Sequence, residues 1–262
     1  MLKRLFYYAV ALLTFNTGIA SAQISGISNS KVVVPGTETV GVGDFDFEPA
    51  FETFSSNSAW DGDGNLSKFD NTSTESGHGF RFTTGLKKDL EVGIILPSDV
   101  SSLNFGLKWL FWRRSELSAA LQTGLNFDAA NGKFPNEERG GKVLGGGLVF
   151  TYEPDGNYSV DSDISFSFYS KEIDGQSVGH SGTFDIGVSY AFTKIFHGVV
   201  EYNFNWITFE NKNFDSRKGS GLAGFTFNAS QLTKVIMGLK YDIHGTNNPK
   251  GVTFIAAFTF LI

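Results

Sequence analysis

Between Leu103 and Phe111 every second residue is large and apolar (Leu103, Phe105, Leu107, Trp109, Phe111), with Asn104, Gly106 and Lys108 between them. Successive side chains of a strand point to opposite faces, so this stretch needs an apolar phase on one side and water on the other. The same period of two recurs along the chain, at Phe45–Thr53, Phe80–Leu86, Leu90–Leu96, Leu117–Phe127 and Leu144–Tyr152. It continues at Tyr158–Phe168, Phe184–Phe192, Phe196–Trp206, Ala223–Phe227, Val235–Ile243 and Val252–Ile262, for twelve strands in all. No segment sustains a helical period, and 27 Phe and 31 Gly against 2 Met suit strands and turns better than helices.

Residues 1–22 read as a secretory signal: Lys3 and Arg4 precede the mostly apolar Leu5–Phe15, and Ala20-Ser21-Ala22 matches a small-residue cleavage site. Removing that segment takes away two of the 21 Lys and Arg and none of the 27 Asp and Glu, leaving a net charge of −8 and arguing against a nucleic-acid partner. No later stretch approaches the roughly 18 consecutive apolar residues of a spanning helix, so a membrane is crossed, if at all, by strands. With no Cys, there is no disulfide, thiol nucleophile or thiolate metal site.

The spacing of the strands selects among all-β folds. Short connections (Lys87–Asp89, Trp112–Glu116, Glu153–Asn157, Thr193–Lys194, Ser230–Gln231) alternate with longer ones (Ser55–Gly77, Pro97–Ser102, Asp128–Gly141, Ser170–Gly182, Phe209–Gly219, His244–Lys250). That is the pattern of an outer-membrane barrel with short periplasmic turns and long external loops. A soluble β-sandwich also alternates, but has no reason to alternate its connection lengths or to place Trp112, Tyr152, Tyr158, Trp206 and Tyr241 near strand ends, where a barrel forms aromatic girdles. The expectation is a closed antiparallel transmembrane barrel of about 12 strands over residues 40–262 of a Gram-negative outer membrane. It is preceded by an N-terminal segment, 23–39, that plugs the lumen or lies in the periplasm.

Two stretches carry a family resemblance. Gly36-Thr37-Glu38 to Phe54, with Phe45-Asp46-Phe47-Glu48-Pro49, and Leu103-Asn104-Phe105-Gly106-Leu107-Lys108-Trp109 resemble the first strand and the "GLKW/Y" strand of a bacterial outer-membrane family named for the MetA-pathway of phenol degradation. The resemblance implies a barrel over the whole mature chain and passive transport of small solutes. Phe254, Ala256, Phe258 and Phe260, ending on Ile262 where an aromatic is usual, resemble the C-terminal signal read by the barrel assembly machinery. The other expected partners are outer-membrane lipid and lipopolysaccharide.

Catalytic signals are weak. His180-Ser181 is the only His-Ser pair; outer-membrane phospholipases separate the two by one residue, whereas adjacent strand residues point to opposite faces. Asp61-Gly62-Asp63-Gly64-Asn65 has the Asp-x-Asp-x-Asn spacing of a calcium loop, but Leu66 and Thr72 stand where such a loop needs Gly and Glu. A solvated turn accounts for it as well. Gly145-Gly146-Gly147 lies within a strand and reads as a close approach of a neighbour, not as a phosphate loop.

In a barrel the polar alternates face the lumen. They supply the acids Asp44, Asp46, Glu48, Glu52, Glu91, Asp161, Asp163, Asp185, Glu201 and Asp242 against the bases Arg81, Lys108, Lys234 and Lys240, a tally of −6. The function expected is a porin-like channel or facilitator needing no cofactor, with a cation- or neutral-preferring lumen and a negative ladder on the first strand. A lipid-acting barrel hydrolase and a non-transporting barrel with partner-binding loops are the alternatives.

Overall fold

In the computed structural model, residues 27–28, 31–98, 102–128, 143–154, 156–170 and 176–262 are described. The signal segment 1–22 lies outside them, as do most of the expected loop Asp128–Gly141 and part of Ser170–Gly182. The strands are β1 (Phe45–Trp60), β2 (Leu66–Lys87), β3 (Leu90–Pro97), β4 (Ser102–Arg114), β5 (Leu117–Asp128) and β6 (Val143–Tyr152). They continue as β7 (Tyr158–Tyr169), β8 (Val178–Ala191), β9 (Phe196–Phe209), β10 (Ser216–Asn228), β11 (Thr233–Thr246) and β12 (Asn248–Leu261), with one 3-10 turn at Lys212–Phe214.

Every strand pairs antiparallel with its chain neighbours, and β12 returns to β1 from Asp46↔Leu261 to Trp60↔Asn248, closing a ring of twelve. Phe45 and Ile262 exchange backbone hydrogen bonds at the seam, 3.1 and 2.8 Å, so the last residue is part of the closure. Closure leaves no strand edge unpaired, which lipid requires because it offers no hydrogen-bond partner.

The alternation sorts the faces as expected. Phe105, Trp109, Phe111, Leu125, Phe168 and Leu239 project outward and are exposed, whereas Asn104, Lys108, Gln122, Ser165 and Ser167 are buried within the ring. Aromatics gather at both strand ends: Tyr152 meets Tyr158 edge-on at 6.4 Å on the side of the short turns, and Trp206 packs on Phe166 and Phe204 on the other. Of the three consecutive glycines, Gly147 makes the close approach, since a Cβ there would stand 2.4 Å from the Ile164 carbonyl oxygen of β7.

The strict alternation of connection length does not hold at the ends of the chain. Ser55–Gly77, read as a loop, is mostly strand: β1 runs to Trp60, β2 starts at Leu66, and only Asp61–Asn65 turns between them. Facing hydroxyls pair across this extension, Thr53 with Ser76 at 3.0 Å and Ser55 with Thr74 at 3.2 Å. His244–Lys250 likewise narrows to a turn on Asn247, whose φ is +49°. Strands that outrun the membrane have water on both faces, so backbone pairing continues without the apolar alternates that betray it in sequence.

Candidate functional site

The lumen is crossed by the N-terminal segment. Lys31, Val34 and Thr37 are fully buried inside the ring, and Val32 and Val40 nearly so. Gly85 of β2 gives the segment room to leave along the wall: a Cβ there would meet the Gly41 and Val40 carbonyl oxygens at 2.2 and 2.3 Å, and Val42 bridges to it.

Wall side chains hold the segment by its backbone and its one buried cation. Glu201 of β9 accepts the Val32 and Val33 backbone N–H at 2.8 and 3.0 Å. Glu91 of β3 accepts the Val40 N–H at 2.8 Å and the Ser28 N–H at 2.7 Å. Lys108, the cross-strand partner of Glu91 with 3.2 Å between their charged atoms, donates to Ser28 Oγ, the Ser28 carbonyl and the Gly36 carbonyl at 2.8, 3.1 and 3.0 Å. Lys31 pairs with Asp161 and donates to Ser159 Oγ at 2.9 Å. Asp161 also accepts from Thr151, whose Oγ1 takes the Thr37 N–H at 3.1 Å. Arg81 bridges Glu48 at 2.7 Å and the Ile27 carbonyl at 2.9 Å.

An apolar patch adjoins Glu201, whose cross-strand partner is Leu222. Val32 packs against Val199, Leu222, Ile236 and Ala257 of β9, β10, β11 and β12, all inward-facing. Sequence reasoning took the inward alternates as polar and missed these four. The signal was there, since apolar residues at inward positions of four successive strands match the Val32-Val33-Val34 run.

The predicted lumen residues divide accordingly. Glu48, Arg81, Glu91, Lys108, Asp161, Asp163, Asp185, Glu201 and Asp242 are buried within the ring, and Asp46, Glu52 and Lys240 are half-buried. Asp44 precedes β1 in an exposed turn closed by its N–H on the Gly41 carbonyl, so the ladder on the first strand begins at Asp46. Lys31 and Lys218 join the bases that the sequence tally counted, Lys218 lying 3.9 Å from Asp242. Apart from Glu201, held on the segment's backbone, lumen acids without an ion pair among the described residues stand in two places: half-buried Asp46 and Glu52 on β1, and buried Asp163 and Asp185, cross-strand partners on β7 and β8.

The weak chemical signals stay apart. His180 Nδ1 lies 3.0 Å from Thr208 Oγ1, whereas the Ser181 hydroxyl pairs with Tyr169 at 2.8 Å. In the Asp61, Asp63, Asn65 turn, Asp61 accepts the Asp63 and Asn65 backbone N–H at 3.0 and 2.8 Å and the Asn65 amide at 3.3 Å. These bonds hold the Asp61 carboxyl below its ordinary range. Among the described residues no three His, Asp or Glu are grouped to hold a metal.

No family model and no curated protein sequence matches the chain. Its fold is shared with solved barrels. The crystal structure of an outer-membrane channel from Pseudomonas putida F1 superposes with a TM-score of 0.70 at 12% identity, over 86% of this chain and 98% of that one. The NanC porin follows at 0.56 and 7% identity, over 81% and 98%. The KdgM porin, solved in complex with disordered oligogalacturonate, gives 0.50 and 10%, over 83% and 98%. The chain has the fold of an outer-membrane β-barrel channel.

Proposed function

We propose that the protein is a porin-like channel of the bacterial outer membrane that passes small solutes passively through a lumen narrowed by its own N-terminal segment. One observation carries this reading: a closed twelve-stranded ring with an apolar outside and a charged inside, crossed by a segment held mainly through hydrogen bonds and ion pairs. Twelve strands lie between side-chain-filled eight-stranded barrels and wide sixteen-stranded porins, so the conducting path is narrow. The fold shared with solved channels and porins supports the same reading, and the two short motifs favour the phenol-degradation family within it.

The lumen prefers cations and neutral solutes to anions. Acids without an ion pair carry that preference, Asp46 and Glu52 on β1 and Asp163 and Asp185 on β7 and β8, because Glu48, Glu91 and Asp161 are already paired with Arg81, Lys108 and Lys31. A low-dielectric wall focuses the field of the acids that remain. Planar-bilayer recording of the purified protein tests both parts. Conductance with a reversal potential favouring K⁺ over Cl⁻ in a salt gradient is expected; absence of conductance in any salt would overturn the channel, and anion preference would overturn the role of the acids.

A further inference from the structure

Four polar side chains from four strands meet on one wall of the lumen. Asp163 and Asp185, facing each other across β7 and β8, are 1% and 2% exposed. Gln122 of β5 reaches over Gly147 of β6, its own cross-strand partner, where no side chain stands in the way, and donates its Nε2 to Asp163 at 3.4 Å. Asn203 of β9, the cross-strand partner of Asp185, donates its Nδ2 to Asp185 at 3.0 Å.

The donors run out before the acceptors do. Asp163 Oδ1, Gln122 Oε1 and Asn203 Oδ1 are buried, and no donor among the described residues reaches them. Gln122 and Asn203 are themselves 1% and 3% exposed. Each already turns its amide nitrogen to a carboxylate, so the opposite rotamer would only bring oxygen to oxygen unless a cation stood between them. No Lys or Arg among the described residues lies within ion-pair distance of Asp163 or Asp185. Lys240 acts on Asp185 only at longer range, and Glu201 adds negative field from the neighbouring strand.

With both carboxamides turned over, their oxygens and the two carboxylates make an all-oxygen set of charge −2, which suits a hard divalent cation; carboxamide oxygens favour Ca²⁺ over Mg²⁺, which keeps most of its water. We propose that Asp163, Asp185, Gln122 and Asn203 form an interior Ca²⁺ site in the barrel wall. The cation neutralises a facing pair of like charges that the protein's own bases leave uncompensated, and it fastens β5 to β9 across the intervening strands. The site stands whether or not the lumen conducts.

The test is calorimetric titration of Ca²⁺ into the full mature protein, refolded without lipopolysaccharide in a neutral detergent. The wild type should bind one Ca²⁺ per barrel. Asp163→Asn and Asp185→Asn should each weaken binding at least tenfold, Gln122→Ala several-fold, and Asp61→Asn, in the outer turn, not at all. Absence of saturable binding by the wild type, binding that survives Asp163→Asn, or binding abolished by Asp61→Asn would overturn the site. Should Asp163→Asn fail to assemble a heat-modifiable barrel, Gln122→Ala decides, since it removes no charge: unchanged affinity there overturns the site. Conductance without Ca²⁺ binding would remove this site and leave the channel reading intact; binding without conductance would do the reverse.

Discussion

Replacing Lys108 with Met should release the N-terminal segment from the lumen. The ammonium is fully buried and makes three bonds to the segment, at Ser28 Oγ, the Ser28 carbonyl and the Gly36 carbonyl, besides its pairing with Glu91. Hydrogen bonds to a charged group contribute about 1.5–3 kcal/mol each, but three that share one ammonium are not additive. Removing one partner of a buried pair costs about 3–5 kcal/mol, and here that cost falls on the seated state, because a departing segment lets water reach Glu91. At about 1.4 kcal/mol per decade, the ratio of seated to released segment should fall by about two to three and a half decades. The chain has no cysteine, so Val34→Cys, at a fully buried position, gives a single reporter whose maleimide labelling rate measures release. Labelling should rise about a hundredfold or more in Lys108→Met, bilayer conductance should rise with it, and Lys108→Arg should stay near the parent. A labelling rate within about twofold of the parent, well under one decade, would refute the idea that these bonds seat the segment.

Further outcomes follow from the faces and the close contacts. Leu107→Arg, on the lipid face near mid-strand, should cost about 2–4 kcal/mol and cut folding yield into bilayers, whereas Gly106→Arg, facing inward, should fold and alter conductance; equal yields would reverse the assigned faces. Gly147→Ala places a Cβ 2.4 Å from the Ile164 carbonyl oxygen and should destabilise the β6–β7 pair by about 1–3 kcal/mol in urea unfolding; an unchanged midpoint would show that the strands part freely. In the salt-gradient assay with Ca²⁺ chelated, Asp163→Asn with Asp185→Asn should reduce cation preference more than Glu48→Gln, whose carboxylate is already bound to Arg81. Because hydrogen bonds hold the Asp61 carboxyl below its ordinary range, order in the outer turn should persist as pH falls through the usual carboxylate range and be lost only below it; amide exchange at Asp63 and Asn65 reads this, and loss at an ordinary carboxylate pH would refute it.

What the sequence determined by itself was the barrel: the period of two, the count of twelve and the side on which each alternate lies. Lipid enforces that pattern locally, because every outward residue within the membrane must be apolar regardless of what its neighbours in space are. The same logic fell silent where lipid ends, so the polar extensions of β1 and β2 looked like a loop although their backbones pair. It also left the lumen undecided. The inward acids were legible one by one but their partners were not: Arg81 takes Glu48, and Lys31, outside every strand, takes Asp161. Which acid meets Lys31, and whether Val32 finds Leu222 and Ile236 or stays outside the ring, depends on residues 130 to 204 positions apart. Only closure of the ring brings those together, since a period of two records which face a side chain takes and nothing about what stands across the lumen from it.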